Sequence, residues 1–135
     1  MTKNWQVIGG YTYTDARITE NPANPSIVGR ALPRSPTHSA TLTTSYRVTT
    51  GMFKGVSLGS NIAYRSQAKA FETTDPFLLD PRIVVNARVG YSGRTFGKMV
   101  HYNLLVSNLL NERYYPSSLA LADPTSLRLS AEYKF

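Results

Sequence analysis

The chain has 135 residues, 41% hydrophobic and only 17% charged, where soluble domains carry about 25% charged. Its formal net charge of +7 suits a partner of negative charge or plain solvated charge, but no lysine or arginine run marks a nucleic-acid arm. It has no cysteine, which excludes a disulfide framework, a thiolate metal site and a cysteine nucleophile, and no stretch nears the roughly 18 apolar residues of a membrane helix.

Period-two alternation recurs along the whole sequence and predicts about six strands. The first sets Trp5, Val7, Gly9, Tyr11 and Tyr13 on one face. The second sets Ala40, Leu42, Thr44, Tyr46 and Val48 against Ser39, Thr41, Thr43, Ser45 and Arg47. In the third, Val56, Leu58, Ile62 and Tyr64 oppose Ser57, Gly59, Asn61 and Arg65. The fourth places Ile83, Val85, Ala87, Val89 and Tyr91 against Arg82, Asn86, Arg88 and Ser92. The fifth places Val100, Tyr102, Leu104 and Val106 against His101, Asn103 and Ser107. The last sets Leu127, Leu129, Ala131, Tyr133 and Phe135 against Ser126, Arg128, Ser130, Glu132 and Lys134. No helix is expected. Each strand is long enough for a tilted membrane crossing, which takes about 9–11 residues, and only alternate residues need face lipid.

The connections alternate in length. Thr49 to Gly55 and Gly93 to Lys98 are short; Ile18 to Ser35, Lys69 to Asp80 and Asn111 to Thr125 are long and polar. Outer-membrane barrels have short periplasmic turns and long extracellular loops, so the last strand runs down to a periplasmic C-terminus. Trp5, Tyr46, Phe53, Tyr91, Tyr102, Tyr133 and Phe135 gather at the short-turn end, and Tyr11, Tyr13, Tyr64, Tyr114 and Tyr115 at the other. Two aromatic levels match the girdles where headgroups meet hydrocarbon.

The fold class is therefore all-β, with antiparallel transmembrane β-hairpins of an outer-membrane β-barrel, either from the C-terminal end of a large one or as a share of one closed by several copies. Six strands are fewer than the roughly eight of the smallest single-chain barrels, and an open edge in lipid is costly. Residues 1–135 read as one barrel segment, or as one of several copies that close a pore together; a small soluble ligand-binding barrel is the remaining alternative. An export signal is absent from these residues: Met1 to Trp5 carry no apolar run.

From Ser35 onward the sequence resembles TonB-dependent outer-membrane receptors of the ferric-siderophore type. Pro33 to Leu42, with Pro36-Thr37-His38, looks like that family's entry into a downward strand; Val106 to Tyr115, with Asn108-Leu109-Leu110-Asn111-Glu112-Arg113-Tyr114-Tyr115, is similar to the box closing its penultimate strand; Ser126 to Phe135 resembles its terminal strand. The Gly-Gly-Tyr pattern at Gly9 to Tyr11 also fits. The family's proline-arginine before the last strand is replaced by Pro124-Thr125, and its plug and TonB-contacting segment are not in these residues. The resemblance implies a parent barrel of about 22 strands around a plug. Such a parent would bind an iron–siderophore complex or similar nutrient outside, be powered by TonB, and lie in outer-membrane lipid.

The resemblance further implies that Leu127, Leu129, Ala131, Tyr133 and Phe135 form the signal read by the barrel-assembly machinery, on what is otherwise a lipid-facing stripe. Arg47, Arg65, Arg82, Arg88 and Arg128 share the opposite register. They would form either a basic lumen wall or a hydrated lining paired with carboxylates such as Glu132. Arg30, Arg34, Phe71, Phe77, Tyr114 and Tyr115 lie in or near the long loops, where a ligand is first met, or where loops are simply solvated. His38 and His101 lack metal-ligand spacing. No cofactor, metal or catalytic grouping is expected, so the sequence does not read as an enzyme.

Overall fold

The computed structural model describes residues 4–70, 77–95, 97–116 and 121–133. Phe71 and Phe135 lie outside the described residues. Six long strands form one antiparallel sheet: β1 (Trp5–Tyr13), β2 (His38–Arg47), β3 (Val56–Arg65), β6 (Arg82–Thr95), β7 (Lys98–Ser107) and β8 (Ser126–Tyr133). A short pair, β4 (Ala68–Lys69) with β5 (Leu78–Leu79), is inserted between β3 and β6. Each strand of the large sheet pairs with its neighbour in sequence, and β1 and β8 are its two edges.

The register explains why alternation was so legible. Trp5, Tyr46, Leu58, Val89, Leu104 and Leu129 form one continuous row across all six strands. Gln6, Ser45, Gly59, Arg88, Leu105 and Arg128 form the adjacent row on the opposite face. A one-residue slip anywhere would exchange the two faces. The apolar row meets the start of β1 but the middle of β8, which is the stagger that tilted barrel strands require.

The sheet encloses no core. Among the described residues only Ile27, Ala70, Leu79 and Val100 are buried apolar side chains, while Leu127 and Leu129 stand 70% and 76% exposed. An apolar face of this extent needs an apolar partner phase. Two polar contacts lie on it: Trp5 Nε1 donates to Thr44 Oγ1 at 2.8 Å, and the Tyr11 hydroxyl meets His38 Nδ1 at 2.8 Å.

Three details differ from the sequence expectation. Gly93 is not in a turn: β6 runs on to Thr95, and Gly93 pairs with Val100. A Cβ at Gly93 would collide with the Tyr91 ring, so the missing side chain gives that ring its place along the strand. The long connection after β3 contains the β4–β5 pair. The first long connection holds a short 3-10 turn, Pro25–Ile27, and continues the β1–β2 hairpin through an Arg17–Ala31 bridge, with Ile18 N bonded to Arg30 O and Leu32 N to Ala16 O.

Candidate ligand-binding site

All five arginines of the expected basic wall fall on the polar face, but they separate into groups. Arg47 and Arg88 line a hollow of ≈ 560 Å³ toward the short-turn end. Arg128 sits one strand beyond Leu105 in the Arg88 row. Arg65 and Arg82 stand directly opposite each other at the long-loop end of β3 and β6. The expected pairing with Glu132 is not found. Among the described residues the ion pair is Arg17–Asp15, at 2.9 Å, and Glu132 lies opposite His101, whose Nδ1 meets Ser92 Oγ at 2.9 Å.

Like charges directly opposed across two strands repel, so the Arg65–Arg82 juxtaposition costs stability unless something compensates it. Part of the compensation is visible. The Arg82 guanidinium lies 4.5 Å from the Tyr114 ring centroid, within cation–π range. Its Nη1 donates to the Tyr115 carbonyl at 3.1 Å. Neither of these two contacts supplies negative charge, and among the described residues no carboxylate forms an ion pair with Arg65 or Arg82.

The long connections complete the site. Arg34 has φ 60, a left-handed conformation uncommon outside glycine, and its N–H donates to Lys69 O at 2.7 Å. This brings the first long connection onto β4. Phe77 packs edge-on to Tyr115, with centroids 5.9 Å apart, joining the second connection to the third. Arg34, Arg65 and Arg82 thus border one cleft of ≈ 30 Å³, with Leu79 and Pro116 also in its lining. A cleft of this size admits one small polar group rather than a whole ligand.

Six expected residues therefore converge from two separate sets: Arg65 and Arg82 from the wall, and Arg34, Phe77, Tyr114 and Tyr115 from the loops. Arg30 does not border the cleft; its backbone closes the Pro25–Ile27 turn. Leu127, Leu129, Ala131 and Tyr133 share the apolar face of β8 through their register with Val106, Leu104, Tyr102 and Val100. Sequence reasoning missed Asn108, which is buried and pins the neck of the last long connection. Its place in the Asn-Leu-Leu-Asn box was a signal of family, not of role. Among the described residues no group of three His, Asp or Glu side chains is placed to hold a metal.

A staggered sheet with one apolar and one polar face, whose long connections gather cations and rings at one end, has the architecture of a stretch of wall from a large β-barrel. Residues 1–111 match the family of TonB dependent receptor-like β-barrels, and the chain belongs to that family. It is 29% identical over 98% of its length to an uncharacterized TonB-dependent receptor of Haemophilus influenzae, covering 39% of that protein. It is also 29% identical over 83% of its length to the ferrioxamine B receptor of Salmonella typhimurium, covering 16% of it. Among solved structures, the ferric-catecholate import receptor Fiu of E. coli matches with a TM-score of 0.73 and 26% identity, over 97% of this chain and 19% of that one. The ferric preacinetobactin receptor BauA of Acinetobacter baumannii shares the fold with a TM-score of 0.84 at 23% identity, over 98% of this chain and 20% of that one. The chain thus spans well under half the length of these relatives.

Proposed function

We propose that this chain is the C-terminal wall segment of an outer-membrane receptor that imports iron–siderophore complexes with energy from TonB. The relatives named as receptors for ferric chelates support this reading. The short turns face the periplasm, the long connections face outward, and a plug in the completed barrel would pack on the polar face. The apolar face meets outer-membrane lipid, and Leu127, Leu129, Ala131, Tyr133 and Phe135 serve as the assembly signal.

One observation carries the ligand reading: Arg65 and Arg82 are directly opposed, and among the described residues no carboxylate forms an ion pair with either. Arg65 and Arg82 take an anionic group of the chelate at the cleft that Arg34 borders, and Phe77, Tyr114 and Tyr115 offer flat apolar surface beside it. Three catecholates leave ferric iron strongly anionic, whereas three hydroxamates only neutralise it. The site therefore favours the catecholate complex.

The test uses the segment assembled with the rest of its barrel, or with a relative's remaining strands, in cells lacking other ferric receptors. Binding of a ferric tris-catecholate is compared with that of a ferric trihydroxamate. The expected result is tighter binding of the catecholate, lost on Arg65→Gln with Arg82→Gln. Equal binding of both complexes, or binding indifferent to the two arginines, would overturn the ligand reading.

A further inference from the structure

Asn108 follows the last residue of β7 and opens the connection that carries Tyr114 and Tyr115. It is 5% exposed and adopts φ 52, so its side chain turns inward across the neck of that connection. Its amide is fully used. Nδ2 donates to Glu112 O at 2.9 Å and to Asp123 O at 3.1 Å, and Oδ1 accepts from Glu112 N at 2.9 Å. One planar amide thereby joins both arms of the connection.

The backbone of the same residue is equally engaged. Asn108 N donates to Asn86 Oδ1 at 3.0 Å, on the polar face of β6. Asn108 O accepts from Thr125 Oγ1 at 2.7 Å. Thr125 N in turn donates to Asn111 Oδ1 at 3.2 Å, and Ala122 N to Tyr114 O at 2.8 Å. The bonds tie the wall at Asn86 through Asn108 to Glu112 and Asp123, and the Ala122–Tyr114 bond is the next rung between the same two arms. The Tyr114 ring then lies under Arg82.

We infer that Asn108 is a positioning residue: it holds the neck of the last long connection closed, and so sets Tyr114 and Tyr115 against Arg82 in the binding mouth. The ligand half of this inference rests on the function proposed above; the clamp half does not. The residue type follows from the chemistry. Only an amide supplies two donors and an acceptor in one plane, and asparagine tolerates the left-handed backbone that most residues avoid.

Asn108→Asp separates these requirements, because aspartate also tolerates that backbone but offers no donor to the two carbonyls. Asn108→Gly keeps the backbone and removes the amide altogether. In the assembled receptor, assembly is read by heat-modifiable mobility and loop closure by the rate of tryptic cleavage after exposed Arg113. Both variants should assemble, be cut after Arg113 about tenfold faster, and bind a ferric tris-catecholate about tenfold more weakly. The affinity loss should add only in part to that of Arg82→Gln, since the clamp acts through the Tyr114–Arg82 contact while Arg82 also meets the ligand itself. Unchanged cleavage after Arg113 in either assembled variant, or full additivity with Arg82→Gln, overturns the inference. Failure of both variants to assemble also overturns it, since Asn108 would then serve the barrel rather than the loop. Should no ferric complex bind even the unaltered receptor, the proposed function fails, and cleavage after Arg113 still decides the clamp.

Discussion

The guanidinium of Arg82 rests 4.5 Å from the centroid of the Tyr114 ring, and this contact fastens a wall strand to the last long connection. A cation over an aromatic face contributes about 0.5–2 kcal/mol, depending on how far it is desolvated. Tyr114→Phe should preserve it and Tyr114→Leu should not. With Arg82→Gln, the Tyr114→Leu cycle should show a coupling of about 1 kcal/mol, read from tryptic opening of the connection at Arg113. Independent effects of the two substitutions would show that the contact carries no energy.

Arg65 presents the reverse balance. Opposite Arg82 in the ladder, it opposes strand pairing while it attracts anions. Arg65→Gln should raise the unfolding free energy of the assembled barrel, read from its denaturant midpoint and slope, by about 0.5 kcal/mol. It should also weaken ferric tris-catecholate binding and flatten the dependence of that binding on salt, which screens exposed charges over about 10 Å at 0.1 M. A variant that loses stability, or whose binding keeps its full salt dependence, contradicts this account.

Gly55 closes the β2–β3 turn under tight constraint. Its φ is +94, and an added Cβ would be driven into the Ser92 carbonyl oxygen. Its own carbonyl accepts from Ser92 N at 2.9 Å, so backing away breaks a bond to β6. Gly55→Ala should cost at least about 1–3 kcal/mol and reduce the assembled fraction on heat-modifiable gels. Gly51 also has a positive φ but open space around it, so Gly51→Ala should cost less. Equal losses at both positions would rule out the Ser92 contact as the cause.

The two faces predict opposite tolerance at adjacent residues. Ile62 lies between Leu42 and Val85 on the apolar face, and Asn61 lies between Thr43 and Asn86 on the polar one. Ile62→Lys should cost about 2–4 kcal/mol if that face meets the bilayer midplane. Asn61→Lys should forfeit mainly the 2.9 Å bond from Asn61 Nδ2 to Thr43 Oγ1, about 1 kcal/mol. Comparable assembly of the two variants would be incompatible with a lipid-facing side.

Much of this fold was legible in sequence. Alternation assigned the same face to Leu42, Ile62 and Val85 before any pairing was known, because a strand repeats its environment every second residue. Local signals served less well where two of them competed. Gly93 reads as a turn residue, yet it sits inside β6, paired with Val100, where its missing side chain leaves room for the Tyr91 ring. Glu132 reads as a partner for the arginines of its face, but its register places it beside His101, and register cannot be counted from one strand alone.

The sequence by itself determined the all-β class, the two faces of every strand and the side from which the long connections leave, since each is a short-range periodic or compositional property. Only the tertiary structure decided that Arg34, Arg65, Arg82, Phe77, Tyr114 and Tyr115 form one mouth, and that Asn108 ties the loop carrying the last two. Those contacts join irregular segments far apart in the chain; Arg82 and the Tyr115 carbonyl are separated by 33 positions. No periodicity links such residues. They meet because pairing of the six strands brings the ends of three loops to one rim.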